Sequence, residues 1–272
     1  MLEDPLAKAA LDHISTTARR WTPEALVTAL SREYRSDRRS VRKAINRLIQ
    51  TGAVQYTYEF GCSFLVPSMN RPVAVSTRVV LSPPDFPLRL TGKQVGILLS
   101  HGAAFGTGSH PTTRLAVRAI DHALSSLPED WLTQDSRALD VGTGSGVLLL
   151  AAIKLGVPSG VGIDLDPCAV SEARTNAALN GLATRAVFSD RSLSDCRGPF
   201  RFITANLRMP TLLDMAPVFT GLADSDAGLV ISGLREDESA VVRRRYHRTG
   251  WHMIWEEMDT GWAGQAYLRL PR

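Results

Sequence analysis

The feature that most constrains the fold is a glycine-rich turn between a short apolar segment and an apolar helical segment. Ala138–Val141 predicts a buried strand, and Val147–Leu155 predicts a helix. Gly142, Gly144 and Gly146 allow a tight backbone and the close approach of a ligand to the main chain. The N–H groups of the turn and of the following helix are expected to favour a ligand carboxylate or phosphate. The strand–turn–helix order predicts an α/β fold with a ligand site at the strand end.

The spacing of the glycines separates two classes of cofactor site. A dinucleotide fingerprint, G-x-G-x-x-G, starting at Gly142 would need its third glycine at position 147, where the chain has Val147. The observed spacing is G-x-G-x-G, with Asp140 two residues before the first glycine. This form is typical of methyltransferases that use S-adenosylmethionine (SAM), in which the upstream carboxylate helps to hold the methionine part of the cofactor. Asp140 and the three glycines are therefore predicted to bind SAM.

Two further acids follow predicted strands. Asp164 ends the segment Gly160–Asp164 and lies 22 residues beyond Gly142, close to the spacing expected of an acid that binds ribose hydroxyls. Its charge would repel a 2′-phosphate, which disfavours NADP. Asp190 follows the segment Arg185–Ser189 and is placed to meet an adenine amino group. Both acids are predicted cofactor-binding residues, although acids after strands are also common on protein surfaces.

The fourth predicted strand, Arg201–Ala205, is followed by Asn206. Because ligands in open α/β sheets bind beyond the carboxyl ends of the strands, Asn206 is expected to meet the methyl acceptor. Its amide oxygen could hold an amine nucleophile and orient the lone pair, which makes it a predicted catalytic residue. The alternative is an asparagine that only forms a turn.

The order of the predicted elements divides the chain into three parts. Residues 1–72 are predicted to form three helices and a hairpin around Gly61. Residues 73–112 are predicted to be a proline-rich linker and cofactor-covering segment, with a strand at Val73–Leu81. Residues 113–272 are predicted to form a methyltransferase domain. The last part alternates strands and helices as a doubly wound sheet does. The first part resembles a winged-helix domain.

Positive charge is concentrated in the N-terminal part. Residues 1–80 have 12 Lys and Arg against 7 Asp and Glu, whereas residues 81–272 have 19 against 20. The third predicted helix carries five of the cations, Arg38, Arg39, Arg42, Lys43 and Arg47. In a DNA-binding winged helix this helix enters the major groove. The alternative is a solvated basic face on a domain that binds protein or merely packs.

Composition limits the class of protein. The chain is 44% hydrophobic and 21% charged, as folded soluble proteins are, and has no apolar run long enough to span a bilayer. The first ten residues do not read as a secretory signal. The three cysteines lack C-x-x-C spacing, which argues against a disulfide framework or a zinc site and favours a reducing cytoplasm. We expect no metal and no membrane partner.

The segment Phe105–Thr113, FGTGSHPTT, lies upstream of the glycine turn and is more specific than the turn itself. Together with Asp140–Gly146, Asp164–Pro167 and Ala205–Leu207 it resembles the PrmA family, which methylates amino groups of large ribosomal subunit protein eleven with SAM. The resemblance covers roughly Val73 to Leu270. It implies a class I SAM-methyltransferase fold, Rossmann-like, with a seven-stranded doubly wound sheet and an antiparallel C-terminal strand.

The resemblance also implies roles for individual residues. Thr107 would contact the cofactor from the loop above the glycine turn, and Asn206 would lie between the cofactor and the substrate amine. His110 would shape the loop or help to accept a proton. Two features depart from the family: a basic helical region replaces its ferredoxin-like N-terminal module, and Arg208 stands where small or apolar residues are usual. Arg208 hints at a negatively charged group near the acceptor.

The sequence therefore predicts a SAM-dependent protein N-methyltransferase that acts on lysine or another amino group, with a ribosomal protein as a candidate substrate. One alternative is a methyltransferase for nucleic acid or a small molecule, whose basic domain grips the polyanion. Another is a DNA-binding regulator whose C-terminal domain only senses SAM. The acceptor, the number of methyl groups and the oligomeric state stay open at this point.

Overall fold

The structure, a computed structural model, describes residues 4–16, 20–59, 61–68, 70–100, 102, 104–106 and 108–269. The chain forms two compact units, an N-terminal unit of residues Met1–Val73 and a C-terminal unit of residues Ala74–Arg272. Each unit has its own buried apolar cluster. No helix within the described ranges has both the length and the hydropathy that crossing a bilayer requires.

The N-terminal unit consists of three helices and an antiparallel hairpin. Its elements are α1 (Pro5–Thr16), α2 (Pro23–Glu33), α3 (Arg38–Gln50), β1 (Val54–Glu59) and β2 (Cys62–Pro67). Thr22 caps α2 by accepting the N–H of Ala25, and Asp37 caps α3 by accepting those of Arg39 and Ser40. The order of elements is the one predicted, and the assignment to the winged-helix class stays a prediction.

Three short strands follow in place of the predicted linker. They are β3 (Val73–Ala74), β4 (Val79–Ser82) and β5 (Val95–Leu98), arranged in that order. The prediction of one strand from Val73 to Leu81 is wrong, because Val79 donates its N–H to the Ser76 hydroxyl at 3.1 Å in a turn that breaks the strand. Strand β5 was not predicted from the sequence. It has only four residues and its second residue is a glycine, which is unfavourable inside a strand.

A seven-stranded sheet forms the centre of the C-terminal unit. Its strands are β6 (Arg137–Val141), β7 (Ser159–Ile163), β8 (Ala186–Ser189), β9 (Phe200–Asn206), β10 (Ala223–Arg235), β11 (Trp251–Asp259) and β12 (Trp262–Arg269), in the order β11-β12-β10-β9-β6-β7-β8. The helices are α4 (Pro111–Ser126), α5 (Val147–Lys154), α6 (Pro167–Leu179), α7 (Met209–Leu222) and α8 (Ser239–Arg248). Strands β6 to β10 run parallel, and β12 is antiparallel to both neighbours. The predicted mostly parallel sheet with an antiparallel C-terminal strand is confirmed.

The strand order places the ligand site. The chain runs from β6 outward to β7 and β8, and then returns to β9 on the other side of β6. The carboxyl ends of β6 and β9 therefore flank a topological switch point, where open α/β sheets bind their ligands. Helix α5, which begins at this point, is buried from Val147 to Ile153, so it anchors the glycine-rich turn against the core.

Candidate active site

The glycine-rich turn links β6 to α5 and has the backbone that its sequence predicts. Gly142, Gly144 and Gly146 have positive φ angles of 68°, 52° and 82°. A Cβ on Gly144 would lie 2.3 Å from the carbonyl oxygen of Phe105, and one on Gly142 would lie 2.6 Å from the side chain of Leu207. At Gly144 both the backbone angle and a backbone oxygen exclude a side chain, whereas at Gly142 the angle disfavours one and the Leu207 side chain would have to move.

The N–H groups of the turn do not behave as expected. Those of Gly142 and Thr143 both donate to the carbonyl of Ile163, and that of Gly146 donates to Thr143. Gly144 donates to the Asp164 carboxylate at 2.9 Å, and the N–H of residue 145 donates to the Phe105 carbonyl at 2.8 Å. The expectation that the turn's own N–H groups face a ligand anion is wrong for this structure, since protein acceptors occupy all five, and the same expectation for the start of α5 stays a prediction. The turn therefore shapes the ligand site through its backbone conformation and does not offer a set of N–H donors to a pyrophosphate.

Asp140 lies beneath the turn and is fully buried. Its carboxylate accepts hydrogen bonds from the hydroxyls of Thr143 at 2.6 Å and Thr204 at 2.7 Å. Burial raises the pKa of Asp140 to about 6, although both hydrogen bonds act to lower it. The side chain therefore ties the turn to β9 and has no open face toward the cleft.

Asp164 and Asp190 lie directly after β7 and β8. Asp164 is half-buried and accepts the N–H groups of Gly144 and Asp166, at 2.9 and 3.0 Å. Asp190 is exposed. Because β6, β7 and β8 are parallel neighbours, the turn and the two acids succeed one another along one edge of the sheet. Thr107, the remaining predicted cofactor residue, lies outside the described residues.

A cavity of about 320 Å³ opens at the end of β9, on the other side of the switch point. Its lining comprises Phe105, His110, Thr112, Asn206, Leu207, Arg208, Gly233 and Trp262. Asn206 is the last residue of β9 rather than the first residue beyond it. The structure thus brings both predicted catalytic residues, Asn206 and His110, into one cavity.

A chain of hydrogen bonds joins these two residues through a threonine. The Asn206 Nδ2 donates to the Thr112 hydroxyl at 3.2 Å, and that hydroxyl lies 2.8 Å from the His110 Nδ1. His110 caps α4, because its Nδ1 accepts the Thr112 N–H at 3.3 Å. Accepting this N–H requires the tautomer in which Nδ1 carries no proton, and in that tautomer the Thr112 hydroxyl donates to Nδ1. With its Nδ2 engaged in this way, Asn206 keeps its Oδ1 as an acceptor for another group.

Aromatic side chains and one arginine, Arg208, line the rest of the cavity. The His110 ring lies 5.3 Å from that of Phe105 and 5.0 Å from that of Trp262, measured between centroids. The guanidinium groups of Arg208 and Arg235 lie 5.2 and 4.5 Å from the Trp262 centroid. The sequence did not predict a role for Phe105, Thr112 or Trp262, which also line the cavity. Phe105 and Thr112 lie within the segment Phe105–Thr113, and membership of that segment was the signal by which they could have been found.

The residues present fit an adenosyl cofactor at the switch point. The acid after β7 suits ribose hydroxyls, and the exposed acid after β8 suits an adenine amino group. The buried hydroxyl of Ser145 has no hydrogen-bond partner among the described residues, and a Cβ on Gly106 would lie 2.6 Å from it. The backbone around the turn is therefore closely packed and leaves no room for added side chains.

This fold and this order of strand ends define a class I SAM-dependent methyltransferase fold. The family model described as ribosomal protein L11 methyltransferase (PrmA) matches residues 67–267, and the chain belongs to that family. The predicted membership and fold class are thus confirmed.

Relatives and a solved structure support the same assignment. The chain is 34% identical over 72% of its length to ribosomal protein L11 methyltransferase of Geobacter metallireducens, and 35% identical over 74% to that of Trichlorobacter lovleyi. These matches span 62% and 65% of the two relatives, less than two thirds of each. A crystal structure of ribosomal protein L11 methylase from Lactobacillus delbrueckii subsp. bulgaricus superposes with a TM-score of 0.64 at 29% identity, covering 74% of this chain and 99% of that one.

Proposed function

We propose that this protein transfers methyl groups from SAM to an amino group of a protein, and that a ribosomal protein is the first acceptor to test. The observation that carries the proposal is the Asn206 amide. Its nitrogen is held by Thr112, so its oxygen is the free acceptor in a cavity beside the glycine turn. An acceptor of this kind suits an amine, which donates hydrogen bonds. The names of the relatives, ribosomal protein L11 methyltransferase, support a protein substrate.

The proposed roles follow the order of the strand ends. Asp164 binds the ribose hydroxyls, Asp190 the adenine amino group, and the glycine turn accommodates the methionine part of the cofactor. Asp140 acts indirectly, by holding the turn through Thr143. Thr107 is proposed, on the resemblance alone, to contact the cofactor from above. His110 positions Asn206 through Thr112, since its Nδ1 is occupied as the cap of α4.

SAM, when bound, supplies a methyl group attached to a sulfonium, whose departure leaves a neutral thioether. Asp164, Asp190 and the glycine turn would hold this cofactor, which would supply the methyl carbon to the amine nitrogen. The protein's task is alignment, which can contribute roughly 7–11 kcal/mol in favourable cases. A lysine amine must first lose a proton, since its ordinary pKa is about 10.4. The aromatic lining of the cavity lowers that pKa by excluding water, and the Asn206 oxygen orients the lone pair.

The charge at the cavity mouth indicates a feature of the acceptor. Arg208 lines the cavity, and Arg235 lies with it over the ring of Trp262, so an acceptor amine close to a carboxylate or another anionic group would be favoured. This agrees with the departure of Arg208 from the family pattern. A nucleic acid or an anionic small molecule would share this chemistry, and these stay the alternative acceptors. The third alternative, a SAM sensor without turnover, does not explain an acceptor cavity with a positioned amide.

Labelling with radioactive SAM tests the proposal. Purified protein is incubated with SAM and separated large-subunit ribosomal proteins, and in parallel with host lysate that is then divided between protease and nuclease. We expect label in a protein band that only protease releases, and none with the Asn206→Ala variant, whose SAM affinity by calorimetry should be unchanged. Label released by nuclease would overturn the protein acceptor, and no label despite SAM binding would favour the sensor.

We propose a cytoplasmic location, on the basis of the unpaired cysteines.

A further inference from the structure

The exposed face of α3 carries a continuous polar surface, which we name the α3 face. It consists of Arg39, Arg42, Lys43, Asn46, Arg47 and Gln50, all exposed. These residues recur at i, i+3, i+4, i+7, i+8 and i+11, so they form one stripe along the helix. The opposite side packs into the core of the unit through residues such as Val41, Ile45 and Leu48. No carboxylate occurs between Arg38 and Gln50.

Part of the positive charge holds the helix in place. Glu24 of α2 forms ion pairs with Arg38 and, at 3.0 Å, with Arg42. The hydrogen bond from Arg42 lowers the pKa of Glu24, so the carboxylate stays charged. This pairing connects the start of α2 to the first turns of α3 and orients the α3 face.

The rest of the charge is available to a partner. Within the described ranges, Arg39, Lys43 and Arg47 form no ion pair with a carboxylate. They line an open concavity of about 970 Å³ together with Arg42, Asn46 and Gln50. Asp4, the one acid in that lining, already accepts the N–H of Leu6 at 3.0 Å. The concavity therefore presents three cations and two amide side chains to an anionic ligand.

Helices α2 and α3 have the order and the short connection of a helix–turn–helix. Helices α2 and α3 pack together and are joined by four residues, Tyr34–Asp37, in which Arg35 has a positive φ of 49°. A helix of 13 residues is about 20 Å long, and the major groove of B-form DNA, about 12 Å wide, admits an α-helix. The hairpin β1–β2 follows α3 and exposes Tyr56 and Tyr58, which are 54% and 74% accessible.

We propose that the N-terminal unit binds duplex DNA by placing the α3 face in the major groove. Arg39, Lys43 and Arg47 contact phosphates or guanine edges, and the amides of Asn46 and Gln50 read adenine, the base whose N6 and N7 groups match them. The exposed tyrosines of β1 lie against the adjoining backbone. Double-stranded RNA fits less well, because the deep and narrow major groove of A-form helices does not admit side chains. This function is additional to methyl transfer and does not depend on it.

Binding of the full-length chain to a fluorescent DNA duplex, followed by anisotropy, tests the proposal. If three cations each neutralise one phosphate, log K should fall with log salt concentration with a slope of about −3. The double variant Arg39→Glu/Lys43→Glu should bind about tenfold more weakly or worse and show a shallower slope. The matched control, Arg244→Glu/Arg248→Glu, changes the same charge on exposed residues of α8 and should bind as the wild type does. Equal losses of DNA affinity in both double variants would show that the effect comes from net charge alone, and would overturn the assignment of DNA binding to the α3 face.

A second variant separates base reading from charge. Asn46→Ala/Gln50→Ala keeps every cation, so it should retain the salt slope while losing preference among sequences selected from a random duplex pool. Equal affinity of the wild type for double-stranded RNA, or no affinity for DNA at about 50 mM salt, would overturn insertion into the major groove. Thermal melting and SAM calorimetry of all variants should match the wild type, which shows that lost DNA binding is neither unfolding nor failure of the cofactor site.

Discussion

The side-chain amide of Asn206, at the end of β9, donates to the hydroxyl of Thr112, at the start of α4, across 94 positions of sequence and 3.2 Å of space. This bond decides which end of the amide faces the cavity. If the Asn206 Nδ2 faced an incoming amine, two hydrogen-bond donors would oppose each other. Because the Oδ1 faces the cavity instead, the amine can donate to an acceptor. The proposed chemistry therefore depends on a residue that contributes no group to the reaction itself.

Removing the Thr112 hydroxyl should impair turnover and leave cofactor binding intact. In Thr112→Val the amide of Asn206 loses its anchor and can rotate, and misplacement of a reacting group can cost on the order of a hundredfold in rate. We expect kcat to fall by roughly tenfold to a hundredfold, the calorimetric Kd for SAM to be unchanged, and Thr112→Ser to recover most of the loss.

Thr113→Val is the matched control for that experiment. Its hydroxyl is buried and has no hydrogen-bond partner among the described residues, so an apolar isostere should leave kcat and stability nearly as they are. If the two valine variants lost activity equally, the effect would come from the packing of α4 and not from the orientation of Asn206.

The turn should tolerate no side chain at Gly144. In Gly144→Ala, a positive φ of 52° costs roughly 1–2 kcal/mol, and the new Cβ meets the backbone oxygen of Phe105. Relief requires the chain over the turn to move, so SAM affinity should fall at least about tenfold and the melting temperature should drop. Gly221→Ala serves as the comparison, since a Cβ there has no atom within 4 Å; it should bind SAM normally and melt no lower than the wild type.

The sequence was sufficient to predict those site residues whose positions depend only on the parallel arrangement of the strands. Asp164, Asp190 and Asn206 could be assigned to one edge because the carboxyl ends of parallel strands share an edge, and the glycine spacing excluded a dinucleotide fingerprint. The contact of Asn206 with Thr112 could not be predicted, because it depends on the packing of α4 against β10 and β12. The engagement of the turn's N–H groups could not be predicted either, since four of the five donate to acceptors that are distant in the chain.

The buried carboxyl of Asp140 should give the protein a pH-dependent stability. Its pKa is raised from 3.8 to about 6 by burial, so the folded protein binds this proton more tightly than the unfolded chain. Its contribution to the free energy of unfolding is greatest below about pH 4, decreases as the pH rises to about 6, and is then constant. The difference corresponds to about 3 kcal/mol.

Asp140→Asn should flatten that dependence. Urea unfolding of the protein without SAM, repeated between about pH 4 and pH 7, should show the wild type losing stability toward pH 6 more steeply than the variant. Asp190→Asn, at an exposed position, should follow the wild-type curve. Parallel curves for Asp140→Asn and the wild type would mean that the carboxyl titrates normally and that Thr143 and Thr204 stabilise its charge fully.

Replacing Arg208 should separate acceptor recognition from catalysis. The side chain is exposed, lines the cavity and lies over Trp262, where it can pair with an anionic group of the acceptor. An exposed pair contributes up to about 1 kcal/mol, so Arg208→Gln should raise the KM for the acceptor roughly fivefold with kcat and the Kd for SAM unchanged. The increase in KM should become smaller as salt is added, because surface charge is screened.

Arg244→Gln, at an exposed arginine of α8, controls for net charge and should leave the KM for the acceptor unaltered. A fall in kcat at constant KM would instead place Arg208 among the groups that align the amine.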